Sequence, residues 1–399
     1  MTFSLVWADD LSGAAEAADT WQQASGESIR IHLGTGDRLP TAAGAVWDLD
    51  LRHEGEVRAR SRLTPALARL DQDSCVFFKL DSQLRGPVRA YAAALLATGR
   101  SVVLSAANPA LGRITAEGRH HVPGAGTATA LRTLFAGLPQ RHLAASEYGQ
   151  LPELLSASSP VLVTADVSSA AELDRLARHC RISPPAHAAG SAPFLGALAQ
   201  GYTGGHGRSV SAAAEPERTP APVRQLLAVI GSTEPAGQVQ VAALRQRDPQ
   251  TAVVQAPPAP DPHAIAAAAR QVREALARGA HTVLTPAPEP RRAAYRSSLA
   301  MTALATTCRA AIAGVGNAVA LYLSGGHTAR RVLEQLGLTT LRTAPHGHGA
   351  VARLIAVDGR TVLTKPGSYG DRHTLLDLTT PAPADHTPTP DKEPPGGHT

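Results

Sequence analysis

The chain has 399 residues, 43% hydrophobic and 18% charged, with a formal net charge of +5; this length suits two domains of about 150 to 220 residues better than one. No apolar run reaches the roughly 18 to 20 residues of a membrane span, and the N-terminus enters residues 3–8 without a basic stretch, so neither a membrane anchor nor a secretory signal is expected. Basic residues are scattered rather than interleaved with aromatics, which argues against nucleic acid as a partner. Three distant cysteines, Cys75, Cys180 and Cys308, make neither a disulfide framework nor a metal cluster. A cytoplasmic globular protein is expected, and a homodimer stays open.

Short β-rich runs alternate with Ala/Leu/Arg-rich helical stretches, the pattern of α/β architecture with largely parallel sheets. Strands are predicted at 3–8, 29–33, 45–50, 75–80, 101–106 and 160–165, and the clearest helices at 87–98 and 169–179. Periodicity lapses over 201–222, where Gly, Ser, Pro and charge replace it, and 206–222 reads as a linker. Alternation resumes with strand 225–231, helix 236–246, strand 251–256, helix 263–278 and strand 281–285. Helix 293–313, strand 318–323, helix 327–336 and strands at 351–357 and 361–365 complete it. Residues 380–399, rich in Pro, Thr, Asp and His, read as a disordered tail. Two α/β domains are therefore expected, 1–205 and 223–379.

Several polar constellations follow predicted strands, where open α/β sheets collect their ligands. Asp9-Asp10-Leu11-Ser12-Gly13 follows the first strand. Two adjacent carboxylates there can hold hydroxyls or accept a proton, whereas helix capping explains only one of them. The segment Lys79-Leu80-Asp81-Ser82-Gln83-Leu84-Arg85-Gly86 packs cations, a carboxylate and a hydroxyl before a helix start, and Arg85 could grip a carboxylate bidentately. Arg113, in a polar loop, is a second candidate anion ligand.

In the second half, Gly231-Ser232-Thr233, Ser324-Gly325-Gly326-His327-Thr328 and Lys365-Pro366-Gly367-Ser368-Tyr369-Gly370 follow successive strands. Glycine turns at strand ends expose backbone N–H groups that can cradle phosphates. Only three lysines accompany 35 arginines, and both Lys79 and Lys365 stand at such strand ends. Neither a P-loop nor a Rossmann glycine signature is present. His346 and His348 lack a third metal ligand at recognisable spacing.

Taken in order, these segments resemble the four-carbon acid sugar kinase family from residue 3 to about 378. Ala8-Asp9-Asp10-Leu11-Ser12-Gly13-Ala14 is similar to its Ala-Asp-Asp-Leu-Thr-Gly-Ala opening, and residues 79–86 to its Lys-x-Asp-Ser-x-Leu-Arg-Gly segment. Residues 109–115 are similar to its Pro-Ala-x-Gly-Arg-x-Thr loop. Its Gly-Ser-x-Ser, Gly-Gly-Asp-Thr-Ala and Lys-Ser-Gly-x-Phe-Gly turns have counterparts beginning at Gly231, Gly325 and Lys365. Glu234, His327 and Pro366 depart from those patterns.

The resemblance implies a sugar-acid-binding N-terminal domain, an ATP-binding C-terminal domain and an active site in the interdomain cleft. It implies phosphorylation of a sugar acid with Mg²⁺·ATP. Asp9 and Asp10 would be catalytic, and with Lys79, Asp81, Ser82, Arg85 and Arg113 would meet the sugar acid. Ser232, Glu234, Gly325, Gly326, His327, Thr328, Lys365, Gly367 and Gly370 would meet ATP; the metal ligands are not specified. His327 departs from the family pattern: protonated, it could supply charge to the phosphates, and otherwise it caps the following helix. A non-catalytic or repurposed sugar-acid-binding protein on the same fold is the competing expectation.

Overall fold

A computed structural model describes residues 5–34, 44–71, 74–183, 185–200, 223–231, 235–287, 294–344, 351–367 and 369–379. The predicted linker and tail, the residues Ser232, Thr233 and Glu234, and the His346/His348 pair lie outside the described residues.

The first half supplies strands β1 (Leu5–Ala8), β2 (Arg30–Leu33), β3 (Ala45–Asp48), β4 (Val76–Lys79) and β5 (Val102–Ser105). A small hairpin sheet follows, of β6 (Ile114–Ala116), β7 (Arg119–His121) and β8 (Thr129–Ala130). Then come β9 (Gln140–Leu143), β10 (Leu162–Ala165) and β11 (His187–Gly190). Its helices are α1 (Leu11–Ser25), α2 (Glu56–Leu67), α3 (Val88–Leu96), α4 (Leu131–Leu134), α5 (Leu151–Ser156), α6 (Ala170–Ile182) and α7 (Ala192–Ala199).

The second half contributes β12 (Gln225–Ile230), β13 (Ala252–Ala256), β14 (Thr282–Pro286), β15 (Val319–Ser324), β16 (Thr340–Thr343), β17 (Ala352–Ala356) and β18 (Thr361–Lys365). Helices α8 (Pro235–Arg247), α9 (Pro262–Ala277), α10 (Ala294–Ile312), α11 (Gly326–Leu336) and α12 (Thr374–Thr379) accompany them.

Fifteen strands form one sheet, ordered β13-β14-β12-β15-β18-β17-β16-β2-β3-β1-β4-β11-β5-β10-β9. Within the first half every pair in this sheet is parallel. Central strands such as β1, β4, β5 and β15 are buried throughout and correspondingly apolar, because helices cover both faces of a parallel sheet. The halves join where β16 pairs antiparallel with β2, Leu341 opposite Ile31. Thr343 reinforces the joint, its hydroxyl accepting from Ile29 N and its carbonyl from Ser28 Oγ, both at 2.8 Å. Helix α1 lies along the joint, packing on α7 and α11; its buried Ala14, Ala15, Ala17 and Ala18 present little bulk, so neighbouring elements approach closely.

Strand β11, sequence His-Ala-Ala-Gly, was not expected, since Ala and Gly are poor strand formers. It forms between β4 and β5, and at its end only glycine fits: a Cβ on Gly190 would overlap the Ser105 carbonyl oxygen. Gly190→Ala should therefore lower unfolding free energy by about 1 to 3 kcal/mol through overpacking, measured by urea denaturation. Among the described residues, no helix is long and apolar enough to cross a membrane.

Candidate functional site

The carboxyl ends of β3, β1, β4 and β5 open on one side of the sheet, and each carries one of the polar segments. Parallel pairing sets their register: Leu49 N donates to Ala8 O at 2.9 Å, Asp9 N to Lys79 O at 3.3 Å and Arg52 N to Asp9 O at 3.0 Å.

Asp10 caps α1 and belongs to the polar cluster at once. Its Oδ1 accepts from Gly13 N (2.7 Å), while Oδ2 accepts from Ser12 Oγ (2.8 Å) and Arg52 Nη1 (2.5 Å). Arg52 also forks onto Asp9, Nε to Oδ2 at 3.0 Å and Nη2 to Oδ1 at 2.7 Å. One guanidinium thus ties both carboxylates, a geometry suited to its planar donor set. Burial pushes the Asp9 carboxyl above its ordinary range, and Arg52 opposes that shift. The residue after β3 that does this was not singled out in the sequence. The Asp-x-Asp-x-Arg run of Asp48, Asp50 and Arg52 at a strand end was the available signal.

Lys79 is buried, paired with Glu16 at 2.9 Å and donating to Leu80 O at 2.9 Å. Arg85 is held by Asp81 through Nε, with a longer Nη2 contact of 3.3 Å, and its side chain is half exposed. Burial works against the charged form of Asp81, but Arg85 and Arg52 outweigh it and draw its carboxyl below the ordinary value. Arg113 is buried with neutral partners, donating to Ser82 Oγ at 2.5 Å and Tyr369 Oη at 3.0 Å, and it stacks over the Tyr369 ring at 5.2 Å. A desolvated guanidinium with hydroxyl partners retains the capacity to take an anion.

In the second half, β12, β15 and β18 are adjacent and parallel, so their following turns converge. Gly325 adopts φ 94°, a left-handed conformation that favours glycine, and its N–H donates to Lys365 O at 2.9 Å. Helix α11 begins at Gly326, so the N–H groups of its first turn have no intrahelical acceptors and carry the positive end of the helix dipole. Lys365 is buried, and its ammonium donates to the carbonyls of Pro366 (3.1 Å) and Gly367 (3.3 Å). Burial pushes this ammonium down to about 8. Thr328 stands beside Gly231, where a Cβ would overlap its hydroxyl, and Gly370 continues the last turn at φ 83°.

This set fits a polyphosphate: exposed N–H groups, a desolvated cation and glycines permitting close approach. Among the described residues, no group of three or more His, Cys, Asp or Glu could hold a metal. His327 is the second residue of α11. Burial and Arg331 push its imidazole below the usual value, and Arg331 Nε donates to its Nε2 at 3.4 Å.

The two sets of residues meet directly. A Cβ on Gly326 would overlap Asp10 Oδ2 and come within 3.0 Å of Ser12 Oγ. Tyr369, from the turn after β18, reaches Arg113 and lies 3.5 Å from Ser82 Oγ. His327 packs edge-on against His53, ring centroids 5.6 Å apart. A cavity of about 600 Å³ lined partly by Asp71, Arg100 and His187 lies at the opposite, amino ends of β4, β5 and β11. It gathers none of the residues described above.

An α/β protein of two halves, with polar turns converging at one seam, defines the class: a two-domain α/β fold with its candidate site between the halves. Residues 4–139 match the family described as a sugar-binding N-terminal domain, and 227–375 match the nucleotide-binding C-terminal domain. The chain belongs to the four-carbon acid sugar kinase family, which joins these two domains in this order.

Two solved structures agree on the fold. A Salmonella typhimurium LT2 protein, described provisionally as a tRNA synthase, superposes with a TM-score of 0.72 at 20% identity, covering 93% of this chain and 97% of its own. The Haemophilus influenzae protein HI1011 gives a TM-score of 0.63 at 17% identity, with 94% and 98% covered. A Bordetella bronchiseptica protein, a domain-swapped dimer with bound citrate, gives 0.42 at 22% identity, with 94% and 97% covered. No curated protein sequence matches the chain significantly.

Proposed function

We propose that this protein is an ATP-dependent kinase that phosphorylates a hydroxyl of a small, about four-carbon, sugar acid. The observation that carries the reading is the abutment of the Gly325-Gly326 turn on Asp10, which brings a phosphate-binding turn to the carboxylate pair. Asp9 and Asp10 hold the hydroxyls of the acid, and one of them accepts the proton of the attacking hydroxyl. Arg113, with Ser82, takes an anionic group of the substrate. The first turn of α11 and Lys365 receive the phosphates, and Mg²⁺ shields their charge as phosphoryl transfer requires.

Incubating the protein with Mg·ATP and a panel of four-carbon sugar acids tests this by phosphorus NMR. A new phosphomonoester resonance is expected with at least one acid, and none with the corresponding neutral alditols. If no acid in the panel is phosphorylated, the reading fails. His327, standing where the family pattern has an acidic residue, favours the second reading, an acid-binding protein without transfer. Under that reading, His327→Asp should raise Mg·ATP affinity several-fold by calorimetry; under the kinase reading it should bring no gain.

A further inference from the structure

Arg330 is a buried cation of α11 whose donors cross the seam. Its Nη1 donates to the Asp48 carboxylate at 2.8 Å and to the Asp48 carbonyl at 3.3 Å, and Nη2 to Gly34 O at 2.6 Å. Nε is held within α11 by Glu334 at 2.6 Å. Asp48 is fully buried, and Asp50 adds a second seam pair with Arg331 at 3.6 Å. A buried ion pair contributes little net stability over an apolar replacement, and its best-attested use is to fix register.

What this pair would fix follows from its place in the chain. Asp48 ends β3, and four residues later Arg52 forks onto Asp9 and Asp10. On the other side, Arg330 stands one helical turn beyond Gly326, the residue abutting Asp10. The short segment 48–52 thus connects α11 to the carboxylate pair.

We propose that Arg330 and Asp48 are positioning residues: their pairing seats the Gly325-Gly326 turn against Asp10 and, through segment 48–52, couples that seat to the hold of Arg52 on both carboxylates. The inference deepens the kinase reading and rests on it for its kinetic consequence, while its geometric content is independent of turnover.

The test uses the full chain carrying spin labels at Val57→Cys in α2 and Val357→Cys beyond β17, both exposed in the wild type, against native thiols that are buried. Wild type should give one narrow label-to-label distance. Arg330→Lys keeps the charge and loses the fork; Asp48→Asn keeps the shape and loses the charge, and it serves if the lysine variant does not fold.

Each is expected to broaden the distance distribution and lower kcat about ten- to a hundredfold, the effect of a misplacement near 1 Å. The KM for the acid should stay within about threefold, and the double variant should be no worse than either single, as coupled residues behave. A merely structural pair would lower the thermal midpoint and leave kcat per folded molecule intact, which overturns the proposal. Wild-type distances and kcat in both variants overturn it equally. Should wild type transfer no phosphate to any acid, the kinase reading fails, and the distances alone decide: broadening supports the clamp and an unchanged distribution overturns it.

Discussion

Lys365→Met should leave the free protein more stable and nearly unable to bind nucleotide. The ammonium is buried with two carbonyl acceptors among the described residues, and burial depresses it from 10.5 to about 8. Each pH unit of such a shift corresponds to about 1.4 kcal/mol, so at neutral pH the buried charge costs roughly 3 kcal/mol. Below about pH 8 both folded and unfolded chains carry the proton, and the cost is fully present. From there to about 10.5 the unfolded chain holds a proton that the folded one lacks, so stability due to this group rises with pH. Methionine, of similar length and uncharged, removes the cost.

Thermal midpoints should therefore favour the variant at pH 7 and converge with wild type near pH 10. Calorimetry should show Mg·ATP affinity reduced at least tenfold, because among the described residues the desolvated ammonium has no anionic partner and a phosphate would supply one. Equal midpoints together with unchanged affinity would show that the ammonium is neither strained in the free protein nor used by the ligand.

Arg52→Met is expected to have the largest effect in the first half. It leaves the fully buried Asp9 and the nearly buried Asp10 side by side with no guanidinium between them. Breaking a buried pair from one side costs about 3 to 5 kcal/mol, and turnover should fall below detection because the carboxylates lose their orientation. The sign of the pH dependence follows from Asp9, whose carboxyl burial already raises while Arg52 opposes the rise. Without Arg52 the folded value climbs further above that of the unfolded chain. The folded state then binds the proton more readily, so the deficit shrinks as pH falls and grows as it rises. Urea denaturation of the variant at pH 5.5 and pH 8 reads this directly. Adding Asp9→Asn to Arg52→Met should recover stability without activity. A pH-independent loss below about 1 kcal/mol would mean the pair is solvated and Arg52 dispensable.

Much of this molecule was legible in the order of its residues. Apolar runs of four to six residues at β1, β4, β5, β12 and β15 are strands because a parallel sheet covered on both faces demands continuous burial. The helices α8 to α11 fall within a residue or two of the expected spans. The polar segments after β1, β4, β5, β15 and β18 could be located from sequence, because charge and glycine interrupt the apolar runs at strand ends.

Six strands could not: β6, β7 and β8 of the small hairpin sheet, and β9, β11 and β16. β9 is a polar edge strand, β11 is built of Ala and Gly, and β16 has only two inward residues. Each forms because a neighbour supplies its hydrogen bonds, and β16 finds that neighbour about 310 residues away in β2. The same distance hides the pairings that organise the site. Asp9 and Asp10 could be named from sequence, but their tie to Arg52 depends on β3 lying beside β1. The reach of Arg330 to Asp48 depends on the two halves sharing one sheet. Local periodicity reports which face of an element is buried. Which charge meets which across the seam is decided only by strand order and docking, because electrostatic pairing depends on separation in space and not along the chain.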